Sequence, residues 1–300
     1  MSPDAIVWLG SVAAIGLFLK AILLFHVEIK DEIALSFALL CLLFIVQNAA
    51  EFLGYFMLLD HPETGVIFLH VYMIAALYVF PSVLLLALAM GKCQQLNRAR
   101  IALYSVSVSL TLLYLAGWVV SGVEFTGWTV ITQAGPLYWI AMGFLLICCL
   151  LAPIYLFWKA NTESDHIVRY NCRVNLIAIC PVVFVVSIVL LLRAAGFASS
   201  SAISLPIATM VFLYIIVLHT RGDLFWISTK FASFMALLKV DKSATVREVT
   251  AELEKVFIVQ ALKMTCGNQA TAAQLLKIPA PTLNKRIKKY GLDPAVFEAN

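Results

Sequence analysis

Seven long apolar stretches fix the character of this chain: Ile6–Phe25, Ile33–Leu59, Val66–Met90, Ile101–Ser121, Pro136–Trp158, Val174–Leu192 and Ile203–His219. A helix that crosses the hydrocarbon layer of a bilayer needs about 20 apolar residues, and each stretch is of that order. With 62% hydrophobic and only 13% charged residues among 300, too few polar side chains are available to solubilise these runs. The loops between them are short. The expected fold class is therefore all-α: a seven-transmembrane helix bundle with antiparallel neighbours, followed by a different kind of domain.

The distribution of Lys and Arg sets an orientation. The 91–100 loop carries Lys92, Arg98 and Arg100, and the 159–173 loop carries Lys159, Arg169 and Arg173. The 60–65 and 122–135 loops hold Asp60, Glu63 and Glu124 and no basic residue. Cytoplasmic loops carry the excess of basic residues. An outside N-terminus puts Lys20, Lys30, both basic loops and the tail in the cytoplasm, leaving Arg193 alone of 21 basic residues on the outer side. Trp8, Trp118, Trp128 and Trp139 then fall near the outer boundary, with Trp158 and Trp226 near the inner one, as interfacial rings prefer. The expected location is a bacterial inner membrane, multi-pass, with the C-terminal domain cytoplasmic.

The N-terminus does not read as a cleavable signal: it carries Asp4, and its nearest positive charges, Lys20 and Lys30, come at or beyond the end of the apolar run. Seven cysteines form no C-x-x-C pair. Cys41, Cys148, Cys149 and Cys180 lie in apolar runs; Cys93, Cys172 and Cys266 lie in charged segments on the inner side. Neither a disulfide framework nor a thiolate metal site is expected. The five histidines, His26, His61, His70, His166 and His219, show no ligand spacing on one helix, although His26, His166 and His219 share the inner side. The seventh run contains no lysine for a retinal Schiff base, and no phosphate loop, kinase box or nucleophile elbow is present. The expectation is a non-enzyme with no cofactor and no metal.

The character of the sequence changes after residue 239. Thr245-Val-Arg-Glu248 is a capping box. Val246, Val249, Leu253 and Val256 repeat at helical spacing behind it, widened by Phe257 and Met264. Gly267 is a helix stop. A short helix over 270–276, a turn at 277–280 and a helix from Pro281 to its cap at Gly291 complete a helix-turn-helix pattern. Lys277, Lys285, Arg286, Lys288 and Lys289 are basic with no acid among them, a composition suited to a phosphate backbone. Thr282 and Asn284 stand at the start of the last helix, where recognition helices reach base edges. On charge alone, a patch for anionic lipid is an equal reading; the three-helix pattern favours DNA.

Residues from about 252 to 292 also resemble the C-terminal helix-turn-helix of the bacterial Fis family, shared with the DNA-binding domains of NtrC-type activators. Gly267-Asn268-Gln269, Ala272-Ala273, Thr282-Leu283 and Lys288-Lys289-Tyr290-Gly291 carry the match. The resemblance implies DNA contacts from Asn268, Thr282, Lys285, Lys288 and Lys289, and binding as a homodimer. The family's name-giving member has arginines where this chain has Ala280 and Asn284, and Pro279 and Pro281 bracket the turn. Fewer donors remain for reading guanine, so backbone binding is better supported than a sequence preference. The apolar region resembles the seven-helix input domains of some bacterial sensor kinases through Phe37–Leu59, with Asn48, Glu51 and Gly54-Tyr55.

A charge inside a span is costly and invites a role. Glu51 lies about eight residues from the outer end of the second run, roughly 12 Å deep at 1.5 Å per residue. Asn48 is one turn away on the same face, His70 and Tyr72 reach similar depth, and Arg193 caps the sixth run. These five residues make a candidate signal pocket for a small molecule, a membrane-derived signal or a proton. The bland alternative is a structural cluster in which His70, Tyr72 or Arg193 satisfies Glu51. Pro81, Pro153, Pro181 and Pro206 lie in separate spans and are candidate kinks.

Between the two parts, Leu224, Phe225, Ile227, Phe231, Phe234, Met235, Leu237 and Leu238 form an apolar stretch suited to the inner membrane surface or to packing between protomers. The expected domains are 1–220, a sensor; 221–244, a juxtamembrane linker; and 245–300, a DNA reader. Together they read as a membrane-anchored one-component transcription regulator, with double-stranded DNA and membrane lipid as partners. A seven-helix transporter or channel with a regulatory basic tail, and a receptor whose tail docks a protein, are the competing readings.

Overall fold

The computed structural model describes residues 3–25, 27, 31–58, 60–125, 130–195, 197, 203–219, 225–240, 244–265 and 267–297. His26, Lys30, Leu59, Trp128, Leu224 and Cys266 lie outside the described residues, as do the side chains of His219, Phe225, Trp226, Ile227 and Phe231. The chain divides into two compact units, one of Met1–Phe25 with Ile29–Ile216 and one that includes Val217–Asn300.

The first unit holds α1 (Pro3–Phe25), α2 (Glu32–Met57), α3 (Pro62–Met90), α4 (Leu96–Leu115), α5 (Tyr138–Thr162), α6 (His166–Ala194) and most of α7 (Ser204–His219). Their starts follow local chemistry. Asp31 caps α2 by accepting from the Ala34 amide at 2.7 Å, and Asp165 caps α6 from Ile167 at 2.9 Å. Pro62 opens α3, where a missing N–H costs nothing. Pro81, Pro153 and Pro181 sit inside helices that continue through them, whereas Pro206 is in the first turn of α7. Helix α3 is central: it packs against α2, α4, α5 and α6, and buries Leu77, Val79, Val83, Leu85, Leu86 and Met90 almost completely.

Among the described residues, five helices, α1, α2, α3, α5 and α6, are long and apolar enough to cross a membrane by length and composition. The fourth and seventh expected spans differ from that standard. Helix α4 begins at Leu96, so it includes Arg98 and Arg100, and it stops at Leu115. Gly117 adopts φ 78°, and the Trp118 amide reaches back to the Leu113 carbonyl at 3.0 Å, a left-handed cap that ends the helix. Helix α7 is a shorter apolar helix.

The segment beyond α4 is a pair of strands, β1 (Val120–Phe125) antiparallel with β2 (Val130–Ala134), where the sequence was read as the end of the fourth apolar run and the 122–135 loop. Its Val, Thr and Ile content suits a pleated strand. Gly135 closes it: a Cβ there would lie 2.5 Å from the Trp118 carbonyl oxygen. Arg193 fastens the hairpin to α6, donating to the Thr132 carbonyl and, at 2.9 Å, to its hydroxyl, with the guanidinium 4.9 Å above the Tyr138 ring.

The second unit contains α8 (Phe225–Lys239), α9 (Val246–Met264), α10 (Gln269–Leu275) and α11 (Ala280–Lys289), then a 3₁₀ turn at Pro294–Phe297. The capping box at α9 forms as read: the Thr245 hydroxyl accepts from the Glu248 amide, and the Glu248 carboxylate accepts from the Thr245 amide at 2.7 Å. That amide holds the Glu248 carboxyl below the usual carboxylate range.

Candidate nucleic-acid interface

A small core sets the geometry of the C-terminal helices. Ile258, Ala261 and Leu262 of α9 meet Ala272 and Ala273 of α10 and Leu283 and Ile287 of α11. The alanines matter because they let three short helices approach closely. Gly267, at φ 79°, turns the chain from α9 into α10. Asn268 caps α10, its Oδ1 accepting from the Ala270 and Thr271 amides at 3.1 Å each.

Lys277 begins the turn into α11 with φ 55°, a left-handed conformation that side chains adopt at a cost. The Ile278 amide bonds back to the Ala273 carbonyl at 3.0 Å and closes the turn. Pro281 sits in the first turn of α11, and Gly291, at φ 61°, ends it.

Leu283 and Ile287, four residues apart, pin one face of α11 to the core. Asn284, Lys285 and Lys288 lie on the opposite face and are exposed, flanked by exposed Lys289 and half-buried Thr282. Lys277 is exposed at the turn. Lys289 rests 5.0 Å over the Tyr290 ring. The result is a convex, basic surface with side-chain donors spaced along one helix, the form that enters a nucleic-acid groove.

Two expected contacts have other duties. Arg286 is half-buried on the inward side and is ion-paired with Glu254 of α9. The same carboxylate accepts a hydrogen bond from the Tyr290 hydroxyl. Glu254 thus latches α11 to α9 through two side chains, a role the sequence reading missed. Asn268 spends its acceptor on the α10 cap and keeps only its amide donors for a ligand.

Residues 250–290 match the family model described as "Bacterial regulatory protein, Fis family". The C-terminal part of the chain carries a Fis-type helix-turn-helix. Over 45 residues the chain is 42% identical to the DNA-binding protein Fis of Proteus mirabilis (strain HI4320), and equally to those of Proteus hauseri and Sodalis glossinidius (strain morsitans). The alignment covers 15% of this chain and 46% of each relative, so the chain spans less than half the length of the curated relatives it matches. No solved structure matches the chain significantly. The matched window contains Asn268, Lys277, Thr282 and all of the basic face, together with Glu254 and its two partners.

The candidate signal residues of the first unit do not form one cluster. Asn48 and Glu51, both buried, are joined by a hydrogen bond from the Asn48 amide to Glu51 Oε2 at 3.3 Å. Lys20 completes that cluster. It is 1% exposed, donates to Asn48 Oδ1, donates to the Thr209 hydroxyl of α7 at 2.9 Å, and lies 5.0 Å from the Phe44 ring centre. Lys20, expected from its place in the first run as a charge at the inner boundary, is buried between α1, α2 and α7. His70 instead pairs with Tyr114 of α4 at 2.6 Å, and Arg193 holds the hairpin. Tyr72 is half-buried on α3. Glu51 is thus served by Asn48 and, through it, Lys20.

Proposed function

We propose that this protein is a membrane-anchored, one-component transcription regulator, in which a helical bundle receives a signal and the Fis-type helix-turn-helix binds double-stranded DNA as a homodimer. The observation that carries the reading is the union, in one chain, of five long apolar helices with an outward basic face on a three-helix domain similar to DNA-binding proteins. The protein acts by binding rather than by catalysis.

The same reading makes α4 and α7 the remaining two crossings. Helix α4 has 20 residues, about 30 Å, and its arginines lie in its first turns, where Arg100 pairs with Glu32 at 2.6 Å. Helix α7 has 16 residues, about 24 Å, short enough to need local thinning of the bilayer. Lys92 pairs with Asp165 at 3.2 Å. These two ties gather the start of α2, the end of α3 and the starts of α4 and α6, with both basic loops, at one end of the bundle. Seven crossings with that end in the cytoplasm bring the C-terminal domain to the DNA. Trp8, Trp118, Trp139 and Trp158 are each more than half exposed, as rings at a lipid interface would be. The buried Lys20–Asn48–Glu51 cluster supports a role for the bundle beyond anchoring, because buried charge is costly in lipid.

The experiment is binding of duplex DNA by the full-length protein in nanodiscs across a salt series. Lys285→Ala, Lys288→Ala and Lys289→Ala should each weaken binding uniformly across sequences and lower the log–log salt slope by about 0.9. A slope near zero, or wild-type affinity in the triple variant, refutes a DNA reader. Release of the wild-type chain from membranes by alkaline carbonate refutes the anchor.

A further inference from the structure

Helix α8 is amphipathic in the wrong sense for water. The side that the protein covers carries small and polar residues: Thr229 is fully buried, Ala232, Ser233 and Ala236 are at least half-buried, and the Thr229 and Ser233 hydroxyls have no hydrogen-bond partner among the described residues. The other side shows Phe234 (57% exposed), Leu238 (64%), Leu237 (45%) and Met235 (40%) to the surroundings. In the sequence, Phe231 and Ile227 continue the Phe234–Leu238 stripe at helical spacing. A helix that meets its own protein through serine, threonine and alanine has its apolar stripe reserved for something else.

Two further facts select the occupant. Phe225–Lys239 contains Lys230 and Lys239 and no acidic residue, so the helix complements an anionic surface. Only residues 220–224 separate α8 from the apolar α7, and six Cα steps reach at most about 22 Å. Where α7 leaves the hydrocarbon layer, α8 therefore starts within reach of the headgroup zone. We propose that α8 lies flat in the headgroup region of the leaflet facing the DNA-binding domain, with Phe234 and Leu238 inserted toward the acyl chains and the exposed Lys239 against anionic phospholipid. The proposal rests on the membrane-anchored reading.

The test is hydrogen–deuterium exchange of the full-length protein in nanodiscs loaded with one copy each, containing either phosphatidylglycerol or only phosphatidylcholine. Exchange in peptides covering 230–240 should be roughly tenfold slower in the anionic discs, and F234E/L238E should abolish that difference while leaving 258–290 unchanged. Equal exchange in both lipids, or protection that arises only in discs holding two copies, overturns the lipid surface; the second outcome would make the stripe a contact between copies. Neither outcome touches the anchor. Release of the wild-type chain by carbonate removes the anchored reading and this inference together.

Discussion

Asn268 has two candidate jobs, and a pair of substitutions separates them. Its Oδ1 accepts from two of the first amides of α10, a helix of only seven residues. Replacing an N-cap Asn by Ala costs about 1 kcal/mol, with a range of roughly 0.5–2. The upper half of that range is expected here, because two donors lose their acceptor and so short a helix has little else to hold its start. For a domain of this size, about 1 kcal/mol lowers Tm by roughly 4–8 °C. Asn268→Asp keeps the acceptor and places a negative charge at a helix N-terminus, which favours it by roughly 0.3–1 kcal/mol. The assay is thermal unfolding of the 243–300 fragment, whose core cluster lies wholly between Ile258 and Phe297. Asn268→Ala should fall by several degrees, and Asn268→Asp should equal or exceed wild type. In DNA binding, measured well below Tm, Asn268→Asp should lose affinity at low salt if the amide donors face a phosphate. An Asn268→Ala variant within about 1 °C of wild type would refute the cap, whatever its affinity.

The Glu254 latch predicts a split among the basic residues: Arg286→Ala should destabilise the fragment yet leave the salt slope of DNA binding unchanged, whereas Lys288→Ala lowers the slope by about 0.9. Equal slope losses would return Arg286 to the interface. Lys277→Gly should raise Tm, since glycine relieves a left-handed residue of roughly 0.5–1 kcal/mol, while weakening DNA binding; loss of both would show that the side chain packs. Glu248 has a depressed carboxyl pKa, so its contribution is complete above the unfolded value of about 4.3 and fades as pH falls through the lower folded value. Protection of the amides at the start of α9, relative to their intrinsic exchange rates at each pH, should fall on acidification through that window, and Glu248→Gln should remove that fall.

Features decided by neighbours in sequence were legible, and those decided by helix crossings were not. The Thr245–Glu248 box, the stops at Gly267 and Gly291, and Pro281 in the first turn of α11 all depend on residues within one helical turn. The inward direction of Arg286 was not read, because its charge grouped it with the lysines of the basic run, although it lies beside Ile287 and three residues after Leu283. Its partner was not legible, because Glu254 meets it only through the angle at which α9 and α11 cross. The strands were lost for a different reason: all but Val120 and Ser121 of them fall in the 122–135 stretch, which its Glu124 and lack of a long apolar run marked only as a connecting loop. Gly117 was the available signal. Lys20 was misplaced by counting along one run. The register of α1 against α2 sets Gly10 beside Phe52 and Gly16 beside Asn48, where a Cβ would stand 3.3 Å from Oδ1. Lys20 then falls beside Phe44, well inside the bundle.

That register gives the polar cluster a testable energetic signature. Lys20 reaches Asn48 of α2 and Thr209 of α7, and Asn48 passes the contact to Glu51, so three helices share one chain of hydrogen bonds. Removing one charge leaves the other buried without its counter-charge, whereas removing both does not. Lys20→Met should strip Asn48 of its donor and leave the Glu51 carboxylate without the nearby ammonium. Glu51→Gln should leave the ammonium uncompensated. In water-soluble proteins such losses reach about 3–5 kcal/mol; interhelical hydrogen bonds measured within membranes average nearer 0.6. The sign of the coupling, more than its size, decides the matter. Thermal unfolding in detergent should show Lys20→Met and Glu51→Gln each destabilising, and the double variant more stable than the sum of the two losses predicts. Strict additivity would mean that the two charges do not sense each other. If the coupling is present, a reporter gene under DNA-domain control distinguishes a clasp from a sensor. A structural clasp leaves induction intact in the double variant, whereas a sensing cluster loses its response even though the fold is recovered.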